Sequence, residues 1–348
     1  MEKNVILNDL REICASPLID WHRFAGKRVL VTGASGMLPS YVVLSLLEAD
    51  TLHSLGLSVT AQVRNASKAR DAFGQWADDS RLTILQQDVC EEYKDFPHVD
   101  FIVHAASQAS PKYYSKDPVG TLMANVKGTA NVLELARRES CESVLFFSSA
   151  EVYGTSPDLL ISEDSYGKVD PVSVRSCYAE SKRMGEQMCS AYNLQYGTHA
   201  KSVRPFHTYG PNMKLDDGRV FADFVNDIVN GRDIVLRSTG EARRAFCYVT
   251  DATTAFIKVL LDGVDGTPYN VGNPDGEISV GDLASLLVSV RPELGLKRVF
   301  DIDEKDRVTA GAVKCVLPDV SRMKSLGWQP SVGIREGFTR VIDHKLSM

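Results

Sequence analysis

Short apolar runs alternate along most of the chain with longer stretches in which apolar residues return every three or four positions. The short runs read as strands of a parallel sheet, and the longer stretches as helices covering both of its faces. On this pattern Arg28-Val29-Leu30-Val31-Thr32, Ser58 to Val63, Leu82 to Leu85, Phe101 to Ala105, Ser143 to Ser148 and Ala200 to Arg204 are strands. Tyr41 to Leu47, Val119 to Arg138 and Ser176 to Tyr196 are helices between them. The βαβ repetition predicts an α/β fold, a Rossmann-type doubly wound parallel sheet.

After Gly210-Pro211 the texture changes. Loops lengthen, and Phe221–Asn230, Ala252–Leu261 and Val280–Val290 read as helices. A smaller, mixed α/β C-terminal substrate lobe is expected there, with some elements returning to the main sheet. The division is then an N-terminal extension over 1–26, a dinucleotide-binding domain over 27–205 and the substrate lobe over 206–348. In the extension, Val5 to Ile13 predicts a short amphipathic helix packed on the outside or at a subunit contact. No internal repeat or low-complexity stretch interrupts this order.

The first strand runs into Gly33-Ala34-Ser35-Gly36-Met37-Leu38-Pro39 and then a helix, the position of a dinucleotide fingerprint. Glycines permit a tight turn and a close backbone approach to a pyrophosphate, and the helix N-terminus offers free N–H groups. Gly33, Ser35, Gly36, Met37 and Leu38 are therefore cofactor candidates. Pro39 stands where a third glycine is usual; a first helical turn tolerates it, because the missing N–H has no intrahelical partner. The second strand ends at Val63-Arg64-Asn65 without the acid that holds the adenosine ribose of NAD, and Arg64 could meet a 2′-phosphate, which leaves NADP open beside NAD. Asp88 and Val89, after the third strand, suit the adenine. His104-Ala105-Ala106 closes the fourth strand with small residues against the cofactor. No second ligand sits at useful spacing from His104, so it is read as a hydrogen-bonded histidine and not as a metal ligand.

Tyr178 and Lys182 stand four apart on a predicted helix and share one face. A lysine beside a tyrosine is expected to lower the phenol's pKa, and the phenolate can then take a proton from a substrate hydroxyl. Upstream, Ser148, Ser149 and Glu151 follow the fifth strand, and ligands of open α/β sheets bind at such strand ends. Ser149, Glu151, Tyr178 and Lys182 should converge on one crevice. Ser148, Asn125 and Pro205 are further cofactor candidates.

The 348 residues, 44% hydrophobic and 24% charged, are enough for a large core. A net charge of -6 argues against a nucleic-acid partner. Seven cysteines without a CxxC argue against a disulfide framework and a zinc site, so no metal is expected. No apolar run approaches the ~20 residues of a membrane span, and the start of the chain lacks a signal-peptide pattern. A soluble, cytoplasmic protein is expected.

Several stretches resemble the extended short-chain dehydrogenase/reductases that act on nucleotide sugars, over residues 28 to about 342. The resemblance is closest to the UDP-glucuronate decarboxylases, or UDP-xylose synthases. It is carried by His104-Ala105-Ala106-Ser107-Gln108-Ala109-Ser110-Pro111, Ser149-Ala150-Glu151-Val152-Tyr153-Gly154 and Arg175-Ser176-Cys177-Tyr178-Ala179-Glu180-Ser181-Lys182-Arg183, with Asp217-Gly218-Arg219-Val220 and Arg244-Ala245-Phe246-Cys247-Tyr248-Val249-Thr250-Asp251. It implies Tyr178 as general base, Lys182 as its partner, Ser149 as the hydroxyl of the triad and Glu151 near C5 and C6 of the sugar. It implies Arg219 and Arg244 on a diphosphate or carboxylate, with Ser107, Ser110, Arg175 and His207 also facing the nucleotide-sugar substrate. A homodimer through the two long helices is implied as well. Gln108 stands where the family commonly has proline, and His207 where it commonly has asparagine.

The resemblance implies oxidation at C4 as a shared first step. A uronate oxidised there is a β-keto acid, which loses CO2 readily. Dehydratases of this kind carry an Asp-Glu pair where this chain has Ala150-Glu151, which counts against dehydration. Decarboxylation of UDP-glucuronate is therefore the leading expectation. Epimerisation or dehydration of another nucleotide sugar stands second, and a non-catalytic NAD(P)-binding protein is the reading from another class.

Overall fold

The structure is a computed structural model that describes residues 4–216, 218–302 and 317–348. Asp217 and Cys315 lie outside the described residues, as do the side chains of residues 111–113, including Pro111. From the N-terminus the elements are α1 (Val5–Cys14), β1 (Arg28–Thr32), α2 (Met37–His53), β2 (Ser58–Val63), α3 (Ala66–Phe73), β3 (Leu82–Gln86), β4 (Phe101–His104), α4 (Pro111–Lys116), α5 (Pro118–Glu139), β5 (Ser143–Phe147), β6 (Leu160–Ile161), α6 (Cys177–Tyr196) and β7 (Ala200–Pro205). There follow β8 (His207–Tyr209), α7 (Val220–Val229), β9 (Ile234–Leu236), β10 (Arg243–Tyr248), α8 (Val249–Asp262), β11 (Pro268–Val271), β12 (Glu277–Ser279), α9 (Val280–Val290), β13 (Arg298–Phe300), β14 (Leu317–Pro318), α10 (Ser321–Ser325) and α11 (Ile334–Leu346).

Seven parallel strands form the central sheet in the order β3-β2-β1-β4-β5-β7-β11. The order reverses beside β1, between the units that run outward to β3 and those that run to β11, and ligands of such sheets bind at that reversal. The registers align the strand ends: Thr32 lies opposite both Gln62 and His104, and His104 opposite Phe146. Strands β4 and β5 are buried along their whole length, as expected of parallel strands covered on both faces. Alternation sorts the side chains of β1. Val29 and Val31 join the core beneath α2 and α8, whereas Leu30 joins the core beneath α5. Outside this sheet, β8, β10 and β12 form a second sheet, with His207 opposite Phe246.

The N-terminal helix lies on the outside of the core with its polar face, including Asn8, Arg11 and Glu12, exposed and its apolar face buried. Leu10 and Ile13 of α1 are buried in the main core, and α1 packs on α2, α8 and α11. The physical reason lies in α2, which is buried around nearly its whole circumference between Pro39 and Asp50. A helix without a polar face needs cover on both sides, and α1 supplies it. Asp9, fully buried, accepts hydrogen bonds from the hydroxyls of Tyr41 (2.9 Å) and Tyr248 (2.8 Å) and from Arg340 (3.0 Å). One carboxylate thus ties the first helix to α2, to the end of β10 and to α11.

Among the described residues no helix is long and apolar enough to cross a membrane, and no cluster of His, Cys, Asp and Glu could hold a metal ion.

Candidate active site

The glycine turn after β1 lies directly on the end of β4. Gly33 has φ +64°, and a Cβ there would stand 2.6 Å from the Ala106 Cα. Only glycine allows both the left-handed backbone and that approach. Gly36 is the N-cap of α2 and no side chain caps this end. The first-turn N–H groups of Met37 and Leu38 therefore remain available to an anion, and Pro39 has none to lose. Ser35 is half-buried in the turn between them.

Toward the β2–β3 edge, Asp88 accepts the Cys90 N–H at 2.8 Å, and Val89 is buried against Gly128, where a Cβ would stand 2.6 Å from its Cγ1. Arg64 is exposed beyond β2, and its charge acts on Asp117 and Cys90. Gln108, in the place of the usual proline, donates to Asp117 at 2.7 Å, and Asp117 in turn caps α5. The glutamine thereby pins the loop after β4 to the start of the long helix.

At the other end of the crevice the catalytic candidates come together. Ser149 opens a turn of 3-10 helix after β5, accepts the Glu151 N–H at 3.1 Å and hydrogen-bonds the Tyr178 phenol. Lys182, one turn after Tyr178 on α6, is buried; its Nζ donates to the Phe147 carbonyl at 2.6 Å and lies 5.7 Å from the Tyr178 ring centroid. Glu151 takes the Arg175 guanidinium at 3.0 and 3.4 Å. Arg175 also lies over the Tyr114 ring at 4.5 Å, and Tyr114 stacks on Tyr178 with centroids 4.9 Å apart. The half-buried Arg219 is close enough for its charge to favour the Tyr178 phenolate. His207 is open to solvent at the start of β8, yet the protein around it, then the charges of Arg244 and Arg219, push its pKa down to about 4. Ser107 and Ser110 are half-buried on the loop after β4, and Pro205 ends β7.

The phenol does not show the lowered pKa expected from Lys182. Burial pushes Tyr178 up to about 12, against the Ser149 hydrogen bond and the Arg219 charge. Burial also pushes Lys182 down to about 7. Two groups withdrawn from water each favour their neutral forms, and in the protein alone this exceeds what the neighbouring charges offer. His104 is buried between two threonines and lowered to about 3 by burial and then the Lys182 charge, a hydrogen-bonded neutral imidazole.

The residues present fit a dinucleotide. Buried side-chain atoms without a hydrogen-bond partner among the described residues include Ser107 Oγ, Ser148 Oγ and Asn125 Oδ1. Buried polar atoms are seldom left so, and these three belong to residues already expected to face cofactor or substrate. Together with the Gly33 cradle and the uncapped start of α2, they make a site for a polar ligand. Sequence reasoning missed Tyr114, Thr32 and Thr129. Tyr114 meets Tyr178 only through the approach of α4 to α6, and no local periodicity marks it.

Fold and site together define an NAD-binding enzyme of the short-chain dehydrogenase/reductase type, organised around a Tyr-Lys pair. A model of the NAD dependent epimerase/dehydratase family matches residues 29–272, and the chain belongs to that family. It is accordingly an NAD-dependent enzyme of the epimerase, dehydratase and decarboxylase kind. UDP-glucuronic acid decarboxylase 6 of Arabidopsis thaliana is 35% identical over 316 residues, covering 89% of this chain and 86% of that protein. UDP-glucuronic acid decarboxylase 1 of Xenopus tropicalis is 33% identical over 322 residues, covering 91% of this chain and 72% of that protein. Among solved structures, UDP-glucuronic acid 4-epimerase from Bacillus cereus in complex with NAD is similar at a TM-score of 0.77 and 21% identity, covering 92% of this chain and 99% of that one. UDP-N-acetylglucosamine 4-epimerase from Methanobrevibacter ruminantium gives 0.78 at 22% identity, covering 92% and 98%. At that distance the likeness is one of fold.

Proposed function

We propose that the chain decarboxylates a UDP-hexuronate, UDP-glucuronate first, after reversible oxidation at C4 of the sugar. When bound, NAD supplies the acceptor that takes a hydride from C4 and gives it back. Gly33, Ser35, Gly36, Met37 and Leu38 would hold its pyrophosphate, with Arg64, Asp88 and Val89 at the adenosine end. Ala105, Ala106, Asn125, Ser148, Lys182 and Pro205 would hold the nicotinamide end, with His104 behind them.

Tyr178 Oη takes the C4 hydroxyl proton and later returns it, while Ser149 orients the same oxygen. A 4-keto-uronate is a β-keto acid: its C5–C6 bond breaks, CO2 leaves, and the electron pair passes into the enolate, which is then protonated at C5. The Arg175 guanidinium, forked onto the Glu151 carboxylate, has the geometry that a C6 carboxylate needs. Glu151, once exchanged from it, stands as a proton-handling group near C5. Arg219, Arg244 and His207 face the diphosphate, and Ser107 and Ser110 the sugar.

One observation carries the reading: an arginine–glutamate pair beside the buried phenol, with alanine at position 150, in a chain similar along its length to proteins named UDP-glucuronic acid decarboxylases. Purified protein given UDP-glucuronate is expected to yield CO2 and a UDP-pentose. A product of unchanged mass would instead make it an epimerase. NAD binding without turnover of any sugar nucleotide would make it a binding protein.

The same reading includes a homodimer through α5 and α6, supported by the exposed Val119, Leu122, Met123 and Met184 on these helices. It also includes a cytoplasmic location. The six described cysteines carry free thiols, which suits a reducing compartment.

A further inference from the structure

His104 lies beneath the glycine turn, and its hydrogen bonds have a determinable direction. The Thr129 hydroxyl donates to the Asn125 carbonyl, which can only accept. Its single proton is thereby committed, so toward His104 Nε2, 3.0 Å away, Thr129 must accept. Nε2 therefore carries the proton and a neutral ring leaves Nδ1 bare. Thr32 Oγ1, 2.8 Å from Nδ1, donates to it. The Thr32 oxygen in turn accepts the Ala106 N–H at 3.1 Å, and the Ala106 backbone is the surface on which Gly33 rests, with no room for a Cβ between them.

The chain of bonds also extends the other way. Asn125 Nδ2 donates to Ser181 Oγ at 2.9 Å, and Ser181 Oγ donates to the Tyr178 carbonyl at 2.9 Å. Ser181 precedes Lys182 on α6. One hydrogen-bonded path thus runs from the backbone under the glycine turn, through β1, β4 and α5, to the helix turn that carries Tyr178 and Lys182.

We propose that His104 is a positioning residue for the cofactor: a neutral, Nε2-protonated imidazole that fixes the Ala106 amide beneath Gly33 and couples it, through Thr129 and Asn125, to the helix of the catalytic tyrosine. This rests on the reading that NAD lies across that turn. A cation at this place would need an acceptor on both ring nitrogens. The Thr129 side has one, but on the Thr32 side the hydroxyl would lose the acceptor for its own proton. Burial, which holds the imidazole well below its ordinary pKa, acts in the same sense.

Calorimetric titration of the purified chain with NAD, and separately with UDP as a probe of the substrate half, tests the proposal. His104→Ala and Thr129→Val are expected to weaken NAD binding about tenfold, the loss of one buried hydrogen bond's worth of positioning, with UDP affinity held within about twofold. Thr129 lies beyond the imidazole from the turn and bonds both the ring and the Asn125 carbonyl, so His104→Ala, which leaves the Thr129–Asn125 contact in place, separates a loss carried by the ring from one carried by Asn125. In the wild-type chain the imidazole 15N spectrum should show Nε2 protonated and Nδ1 bare from about pH 5 to 8, an arm that needs no variant to fold. Unchanged NAD affinity in both variants, or a proton on Nδ1, overturns the proposal while leaving NAD binding in place. A wild-type chain that binds no NAD overturns the cofactor reading, and this inference with it.

Discussion

Tyr114 and Tyr178 lie face to face, with ring centroids 4.9 Å apart and planes 16° from parallel. The far face of Tyr114 carries the Arg175 guanidinium, whose fork closes on Glu151. The base candidate is thus held in a stack that ends in the carboxylate expected near C5 of the sugar. A parallel aromatic pair of this kind contributes about 0.5–1.5 kcal/mol beyond the area it buries. Tyr114→Ala should lower kcat about tenfold, by loosening the phenol and freeing Arg175. Tyr114→Phe keeps both stacking faces and loses only the hydroxyl bond to the Ala109 carbonyl, so it should stay close to wild type. Equal losses of kcat in the two variants would remove the stack from the mechanism.

Tyr178→Phe deletes the oxygen proposed to exchange the C4 proton but keeps the ring beside its neighbours. Turnover should fall by about 10²–10⁴-fold, with NAD affinity nearly unchanged. A variant that loses NAD binding in proportion to its activity would mark Tyr178 as a structural residue.

The pH profile should report on Ser149. Burial pushes the Tyr178 phenol up to about 12, and the Ser149 hydrogen bond is among the groups that pull it back. In the free enzyme kcat/KM should therefore rise with pH on the alkaline side as the phenolate forms. Ser149→Ala removes a hydrogen bond to the charged form, so that limb should move to higher pH and the rate at neutral pH should fall about 10- to 100-fold. An unmoved limb with a lowered plateau would confine Ser149 to capping its turn.

Asp9 makes the stability pH-dependent in an unusual direction. Burial raises its pKa from 3.8 to about 6, against the hydrogen bonds of Tyr248, Tyr41 and Arg340. The folded state therefore favours the protonated acid. The stabilisation is fully present below pH 3.8 and is lost as pH rises through about 6. The shift is worth on the order of 3 kcal/mol. Asp9→Asn cannot ionise, so its unfolding free energy, measured against wild type by urea titration, should gain by that order between about pH 4 and 7. A difference that stays constant over this range would show that Asp9 is ionised in the fold throughout.

Period and punctuation in the chain were enough to locate the parallel sheet, its glycine turn and the helix of Tyr178 and Lys182. These features are local: a buried strand needs a run of apolar residues, and two side chains four apart on a helix share a face whatever surrounds them. Where the outcome depended on segments distant in the chain, the pattern was silent or misleading. The first helix is legible as amphipathic, but what covers its apolar face is decided by the unpolar outer face of α2 and by the hydroxyls of Tyr41 and Tyr248 around Asp9. The direction of the Tyr178 shift, the Tyr114 stack and the threonine clasp on His104 share that origin. Each depends on how much water the tertiary packing removes and on which partners, 25 to 74 residues away along the chain, it brings within hydrogen-bonding or stacking distance.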